Sequence, residues 1–168
     1  AARRGAEFAG RRIPVSVKTR IGYNKLEWQW VREVLSWKLP NVTFHLRTRK
    51  EMSLVPAHWE LMPEIIKLRD EISPETLVIG NGDARDIPDA REKAATSGCD
   101  GVMLGRAIFG RPWLFDETKG DVSVRERLET MLMHTKRFVE VLGSFKNFAL
   151  MKKHYKAYVN GFDGAKEL

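Results

Sequence analysis

Four short β-prone runs punctuate the chain: Val15–Lys18, Val42–His45, Leu77–Gly80 and Gly101–Leu104, with starts 27, 35 and 24 residues apart. The segments between them carry helical periodicity. Leu26, Trp30, Val34 and Trp37 share one face of the first, Leu61, Ile65, Ile66 and Leu68 mark the second, and Ala90, Ala94 and Ala95 the third. Strands alternating with helices at this spacing define βα units and a parallel sheet. The runs are short and nearly continuous in hydrophobicity, as expected of strands covered on both faces.

The strand pattern stops after Trp113. An amphipathic helix is expected from about 124 to 141, with Leu128, Leu132, Thr135 and Val139 on one stripe. Gly143-Ser144 breaks it, and a second helix is expected from about 146 to 158, ended by Asn160-Gly161. The fold class is therefore α/β, with four βα units followed by a small α-helical domain. Four parallel strands cannot close a barrel, and they make half of the eight-unit (β/α)₈ plan. The N-terminal residue is not Met and the C-terminal AKEL carries no stop signal, so the chain reads as a piece of something longer.

Composition narrows the function. Hydrophobic residues are 43% and charged residues 30% of the 168, the balance of a soluble globular chain. No apolar run approaches the ~18 residues of a membrane span, and the first ten residues lack the apolar core of a signal peptide. The single cysteine, Cys99, points to a reducing compartment and a cytoplasmic location. A net charge of +7 and a pI near 9.7 make an anion the expected partner, with nucleic acid first.

Polar residues cluster at the C-terminal ends of all four strands: Lys18 and Arg20, His45 and Arg47, Asn81 and Asp83, Gly105 and Arg106. That end of a parallel sheet is where sites are built. The glycines of Gly80-Asn81-Gly82-Asp83 and Leu104-Gly105-Arg106 let backbone amides approach an anion, and Arg106 supplies a bidentate clamp. A short helix over 106–109 or 112–115 would complete a barrel phosphate site. The plainer alternative is a tight turn capping the next helix. Lys18 suits negative charge on a reduced flavin or a substrate oxyanion, or else a rim salt bridge. His45 alone reads equally well as structural. Cys99 precedes a strand and reads as a small buried residue. His45, His58, His134 and His154 show no metal-ligand spacing, so no metal is expected. From Val141 to Phe162 there is no acidic residue, and Lys146, Lys152, Lys153 and Lys156 interleave with Phe145, Phe148, Tyr155 and Tyr158. That is a nucleic-acid-binding composition or, alternatively, a helix with a solvated basic face.

VSVKTRIGY, HLRTRKE, AHWE, VIGNGDARD, GCDGVMLGRAIFGRPWLF and KKHYKAYVNGFDGAKEL, in this order, resemble the second half of a tRNA-dihydrouridine synthase from about Arg11 onward. The resemblance implies the C-terminal half of a (β/α)₈ TIM barrel, a partial FMN-binding domain over 1–118, and a truncated helical tRNA-binding domain over 119–168. It implies NADPH as reductant, and hydride transfer from FMN to carbon 6 of a flipped-out uridine. By similarity Lys18 contacts the flavin and His45 lies on its side of the pocket. Asn81, Gly82, Asp83, Gly105 and Arg106 hold ribityl and phosphate, while Arg47, Lys146, Lys152, Lys153 and Lys156 face RNA. A monomer when full-length, without membrane or metal, is implied as well. Two departures stand out. Leu46 replaces the glycine of the family's His-Gly-Arg-Thr loop, and the half carrying the proline-methionine FMN loop and the catalytic cysteine is missing. The competing readings are another FMN- or phosphate-binding barrel acting on a small molecule, and a non-catalytic RNA-binding remnant.

Overall fold

The computed structural model describes residues 13–167 and divides the chain into two compact units, Ala1–Gly105 and Arg106–Leu168. The start of the tRNA-dihydrouridine-synthase-like pattern at Arg11 lies outside the described residues.

The first unit is an α/β structure. Strands β1 (Ser16–Arg20), β2 (Asn41–His45), β3 (Leu77–Asn81) and β4 (Gly101–Met103) form one parallel sheet in the order β1-β2-β3-β4. Between them run α1 (Trp28–Ser36), α2 (Met62–Ile72) and α3 (Ile87–Ser97). Parallel neighbours need a crossover, and each crossover here carries a helix. Val17 pairs with Val42, Val42 with Val78, Phe44 with Gly80, and Gly80 with Val102. Side chains alternate along a strand, so these residues share one face. Val42, Phe44 and Val78 are fully buried there against Val31, Val34 and Leu35 of α1 and Met62, Ile65 and Leu68 of α2.

The helices bury stripes shifted from those the periodicity suggested. In α1 the inward residues are Val31, Val34 and Leu35. Trp30 and Trp37 flank them edge to face at 5.8 Å, and the Trp30 indole donates to Thr19 at 3.0 Å. The bulky indoles sit at the margin because each N–H needs a polar partner. In α3 the closely packed positions are Asp89, Ala90 and Ser97, and Ala95 is exposed. Asp89 lies 4% exposed because the Arg85 amide, the Arg85 guanidinium and Lys93 all bond to it, which holds its carboxyl well below the usual range. The Asp86 side chain caps α3 by accepting from the Asp89 amide, and Gly98 closes it with φ +73. At the N-terminal edge of the sheet, Arg69 donates to the Thr76 carbonyl and to Asp100, whose carboxylate also accepts from the Val78 amide. Cys99 is buried beside it, its thiol directed at the Gly101 carbonyl.

Leu46 occupies the turn after β2 and is fully buried in the core. Its amide donates to the Asn81 carbonyl and its carbonyl accepts from the His58 amide, so this backbone joins the ends of β2 and β3. A glycine there would leave the side-chain space empty.

The second unit is helical among its described residues, and the expected boundary near 118 falls inside it. A single 3₁₀ turn spans Arg106–Ile108, whereas 112–115 forms turns rather than a helix. Helix α4 (Val124–Leu142) is capped by Ser123, which accepts from the Glu126 amide. A 3₁₀ turn, Phe148–Met151, leads into the short α5 (Lys152–Tyr158), so the expected second helix is broken into two pieces. The expected stripe of α4 is met only in part: Thr135 faces inward, but Leu132 and Val139 are more than half exposed. The inward residues are His134, Thr135 and Phe138, which meet Tyr158, Tyr155 and Phe148. The partner is short and aromatic, and it covers only this narrow strip.

Leu46→Ala removes a fully buried side chain from the junction of two strands. We expect a loss of about 3 kcal/mol of stability, read by denaturant unfolding; a loss below about 1 kcal/mol would show that the site collapses around the smaller side chain.

Candidate functional site

The sheet face opposite the core of α1 and α2 follows from the same register. Lys18 pairs with Thr43, Thr43 with Ile79, and Ile79 with Gly101. One step toward the C-terminal edge, Arg20 pairs with His45, His45 with Asn81, and Asn81 with Met103. Lys18, Arg20, His45 and Asn81 therefore project to the same side, in two adjacent rows. Lys18 lies within β1 rather than beyond it, because the strand runs on to Arg20. The apolar residues of this face are poorly covered: Leu77 is 51% and Met103 38% exposed.

Cationic groups crowd the edge of this face. Partial burial and the neighbouring Arg20 hold the Lys18 ammonium below its usual range. Arg20 is likewise lowered by burial and by Arg49 and Arg47, and it donates to the Thr48 carbonyl at 2.7 Å. Burial, then Arg20, Lys18 and Arg47, push His45 down to about 4 against the opposing pull of Asp83. At neutral pH the ring is therefore uncharged. Positive charge gathered around a neutral imidazole is an environment that gains from an anion.

Asp83 organises the loops above this edge. It sits at φ +54, accepts from the Ala57 amide at 2.8 Å, and forms an ion pair with Arg47. Arg47 also donates to the Val55 carbonyl at 2.6 Å and approaches His45 Nε2 at 3.4 Å. Arg47 is 3% exposed, so the residue expected to face RNA is committed to the interior. Gly82 holds φ +133, and a Cβ there would stand 2.6 Å from that of Ala57. Gly80 lies under the Trp59 ring, where a Cβ would come within 2.5 Å, and the Trp59 indole donates to the Gly82 carbonyl at 2.8 Å. The glycines of the GNGD segment thus serve the packing of the 57–59 loop. The helix cap that the alternative reading assigned to this turn is made instead by Asp86. The Asn81 amide donates to the Met103 carbonyl at 2.7 Å, binding β3 to β4. Gly105 has open space where a Cβ would stand, so the backbone there is accessible.

Arg49, which the sequence sets in a basic loop with Arg47 and Lys50, adds to the charge at the strand ends. One feature went unrecognised in the sequence. His58 is bracketed by Glu51 and Glu60, each at 3.0 Å, and these carboxylates raise its pKa. The signal was present as E-x₆-H-x-E, but nothing in its spacing says that the loop folds back. Among the described residues no group of three His, Cys, Asp or Glu is arranged to hold a metal, and no helix is long and apolar enough to cross a membrane.

In the second unit, Lys153 and Lys156 line a cleft of roughly 1100 Å³ together with Arg106 and Arg111, whereas Lys146 and Lys152 do not.

A parallel α/β sheet with a cationic rim at its carboxyl edge is the class of protein that this geometry defines. Comparison with known proteins narrows that class: the dihydrouridine synthase profile matches residues 8–168, and the chain belongs to that family. It is 43% identical over 159 residues to a probable tRNA-dihydrouridine synthase of Staphylococcus aureus, covering 93% of this chain and 48% of that protein. It is 42% identical to probable tRNA-dihydrouridine synthase 2 of Bacillus subtilis, over 93% of this chain and 49% of the other. The chain thus spans about half the length of the curated relatives it matches.

The depressed His45 pKa makes a pH prediction. The unfolded chain binds the proton between pH 4 and 6.5 while the folded chain does not, so this contribution is complete above pH 6.5 and is lost as pH falls toward 4. His45→Gln should flatten the dependence of unfolding free energy on pH in that window by up to one proton. Denaturant melts at pH 5 and pH 7 measure it, and parallel slopes for the two proteins would remove His45 from the acid response.

Proposed function

We propose that the chain is the C-terminal half of an FMN-dependent tRNA-dihydrouridine synthase, which uses NADPH to reduce a uridine of tRNA to 5,6-dihydrouridine. The family membership supports the reaction class. The observation that carries the cofactor assignment is that Lys18, Arg20, His45 and Asn81 share one face of the sheet, opposite the core.

These residues suit FMN. A cationic, half-buried cluster offers a counter-charge to phosphate and to an electron-rich ring. The open backbone at Gly105 leaves room for close approach of a phosphate. When bound, FMN supplies hydride chemistry. Lys18 would hold negative charge at the ring, with neutral His45 beside it as donor or acceptor. Asn81, Gly82 and Asp83 would act mainly by fixing the wall of the pocket, since Asp83 and the Asn81 amide already carry internal bonds. By resemblance, Gly105 and Arg106 would take the phosphate. Arg47 would reach RNA only by giving up Asp83 and Val55, so we assign it the holding of His45 and the loop. Lys146, Lys152, Lys153 and Lys156 would meet tRNA.

The acid that protonates carbon 5 of the uracil is absent from this half, and Cys99 is no substitute. It is buried and faces the Gly101 carbonyl at the opposite edge of the sheet. By this reading the 168-residue chain alone forms no dihydrouridine, and mass spectrometry of tRNA incubated with chain, FMN and NADPH tests that. The full-length protein should retain bound flavin and oxidise NADPH. Its Lys18→Ala variant should reduce flavin about 10- to 100-fold more slowly, by stopped-flow absorbance; a rate unchanged by the substitution would place Lys18 away from the ring.

A further inference from the structure

His45 closes β2 and Arg47 follows it, and their contact settles which nitrogen of the imidazole carries the proton. Arg47 Nη1 lies 3.4 Å from His45 Nε2. A guanidinium has only donors and keeps its charge, so the ring nitrogen that it faces must accept. Nε2 is therefore bare, and the proton of the neutral ring sits on Nδ1. Arg47 has little freedom to do otherwise. It is 3% exposed, its Nε donates to the Val55 carbonyl at 2.6 Å, and its Nη2 is paired with Asp83. Asp83 is fixed in turn by the Ala57 amide at 2.8 Å.

The orientation of the ring agrees. A Cβ at Gly82 would stand 3.5 Å from His45 Cδ2 and 3.8 Å from Arg47 Nη1. The Cδ2–Nε2 edge of the imidazole thus faces Gly82 and Arg47, and the Nδ1 edge is turned away from them. Among the described residues every fully buried side-chain nitrogen and oxygen has a partner. Nδ1 bonds to no protein group, so it is open to solvent. Burial, and then Arg20 and Lys18, push the ring down to about 4, so it takes up no second proton at neutral pH.

We infer that Arg47 is a positioning residue that locks His45 as the Nδ1–H tautomer, and that His45 meets its ligand as a hydrogen-bond donor through Nδ1, not as an acceptor or a base. The inference rests on the flavin and tRNA reading above. It deepens that reading by naming what His45 recognises, an acceptor oxygen such as a carbonyl of the flavin ring or of the uracil. An arginine suits the task better than a lysine. Its rigid planar fork serves Asp83, Val55 and His45 together, whereas an ammonium on a flexible stem has no such fixed geometry.

The test begins with the unsubstituted full-length protein, freed of flavin and carrying nitrogen-labelled histidine. Long-range proton–nitrogen correlation spectra at neutral pH report which ring nitrogen is protonated, and the His45 signals are those missing from His45→Gln. The expected result is a protonated Nδ1 and a bare Nε2. A protonated Nε2, alone or together with Nδ1, overturns the inference, and this measurement depends on no variant. Arg47→Lys keeps a cation beside Asp83 but loses the fork, so the proton of His45 should then be shared between the two nitrogens; an unchanged Nδ1–H tautomer overturns the role of Arg47. The functional arm uses amide isosteres, since asparagine sets its N–H where Nδ1–H lies and glutamine sets its own nearer Nε2. His45→Asn should hold FMN affinity or KM for tRNA within about 2-fold, and His45→Gln should worsen the same quantity by roughly 3- to 10-fold, the worth of one hydrogen bond. A difference in FMN affinity, read by flavin fluorescence, puts the acceptor on the flavin, and a difference in KM puts it on the uracil. Equal effects of the two substitutions on both quantities, or a larger loss for asparagine, overturn the donor role. An unsubstituted protein without affinity for FMN or tRNA would instead overturn the proposed function, while the nitrogen spectrum still decides the tautomer.

Discussion

A guanidinium with almost no access to water holds the carboxyl edge of the first unit together. Arg47 leaves β2, turns inward, and spends its donors on Asp83 beyond β3, on the Val55 carbonyl across its own loop and on His45. Asp83 answers with a second bond to the Ala57 amide, so two loops from adjacent βα units share one ion pair. A buried charge without its partner is costly, which makes this pair an all-or-none junction. The electrostatics of the edge follow from it. Asp83 offsets Arg47 locally, and burial first, then the charges of Arg20 and Lys18, keep His45 uncharged.

Much of the first unit was legible in the sequence, because burial enforces pattern. Apolar runs at regular spacing marked all four strands to within two residues at each end, and their parallel order follows from the helices between them. What pattern does not carry is the pairing of polar groups. Nothing in TFHLRTR says that the first of its arginines turns inward while the second stays out. That choice depends on Asp83, 36 residues away, and on a left-handed turn that puts its carboxylate within reach. Leu46 is similar. A bulky residue in a loop looks like an obstacle to close backbone approach, yet its side chain drops into the core and frees the backbone to bond on both sides.

The second unit was less legible for a related reason. A leucine stripe at helical spacing predicts the buried face only when a partner helix is long enough to cover it. Here α5 has seven residues and presents tyrosines, so α4 turns toward them the histidine, threonine and phenylalanine that fit and leaves Leu132 and Val139 in solvent. The same short helix divides its lysines between two sides, and a one-dimensional reading of a basic stretch has no way to make that division.

The strictly sequential order of the strands has a kinetic side. Each strand pairs with the next one synthesised, Ser16 with Asn41, Asn41 with Leu77, Ile79 with Gly101. Every closure therefore spans only a few dozen residues, and the entropy lost in closing such loops grows only slowly with their length. Parallel sheets are ordinarily slow to form because their pairings are remote. A sheet laid down by nearest neighbours keeps contact order low, so each βα unit can dock on its predecessor as it leaves the ribosome, with one bare edge always waiting for the next.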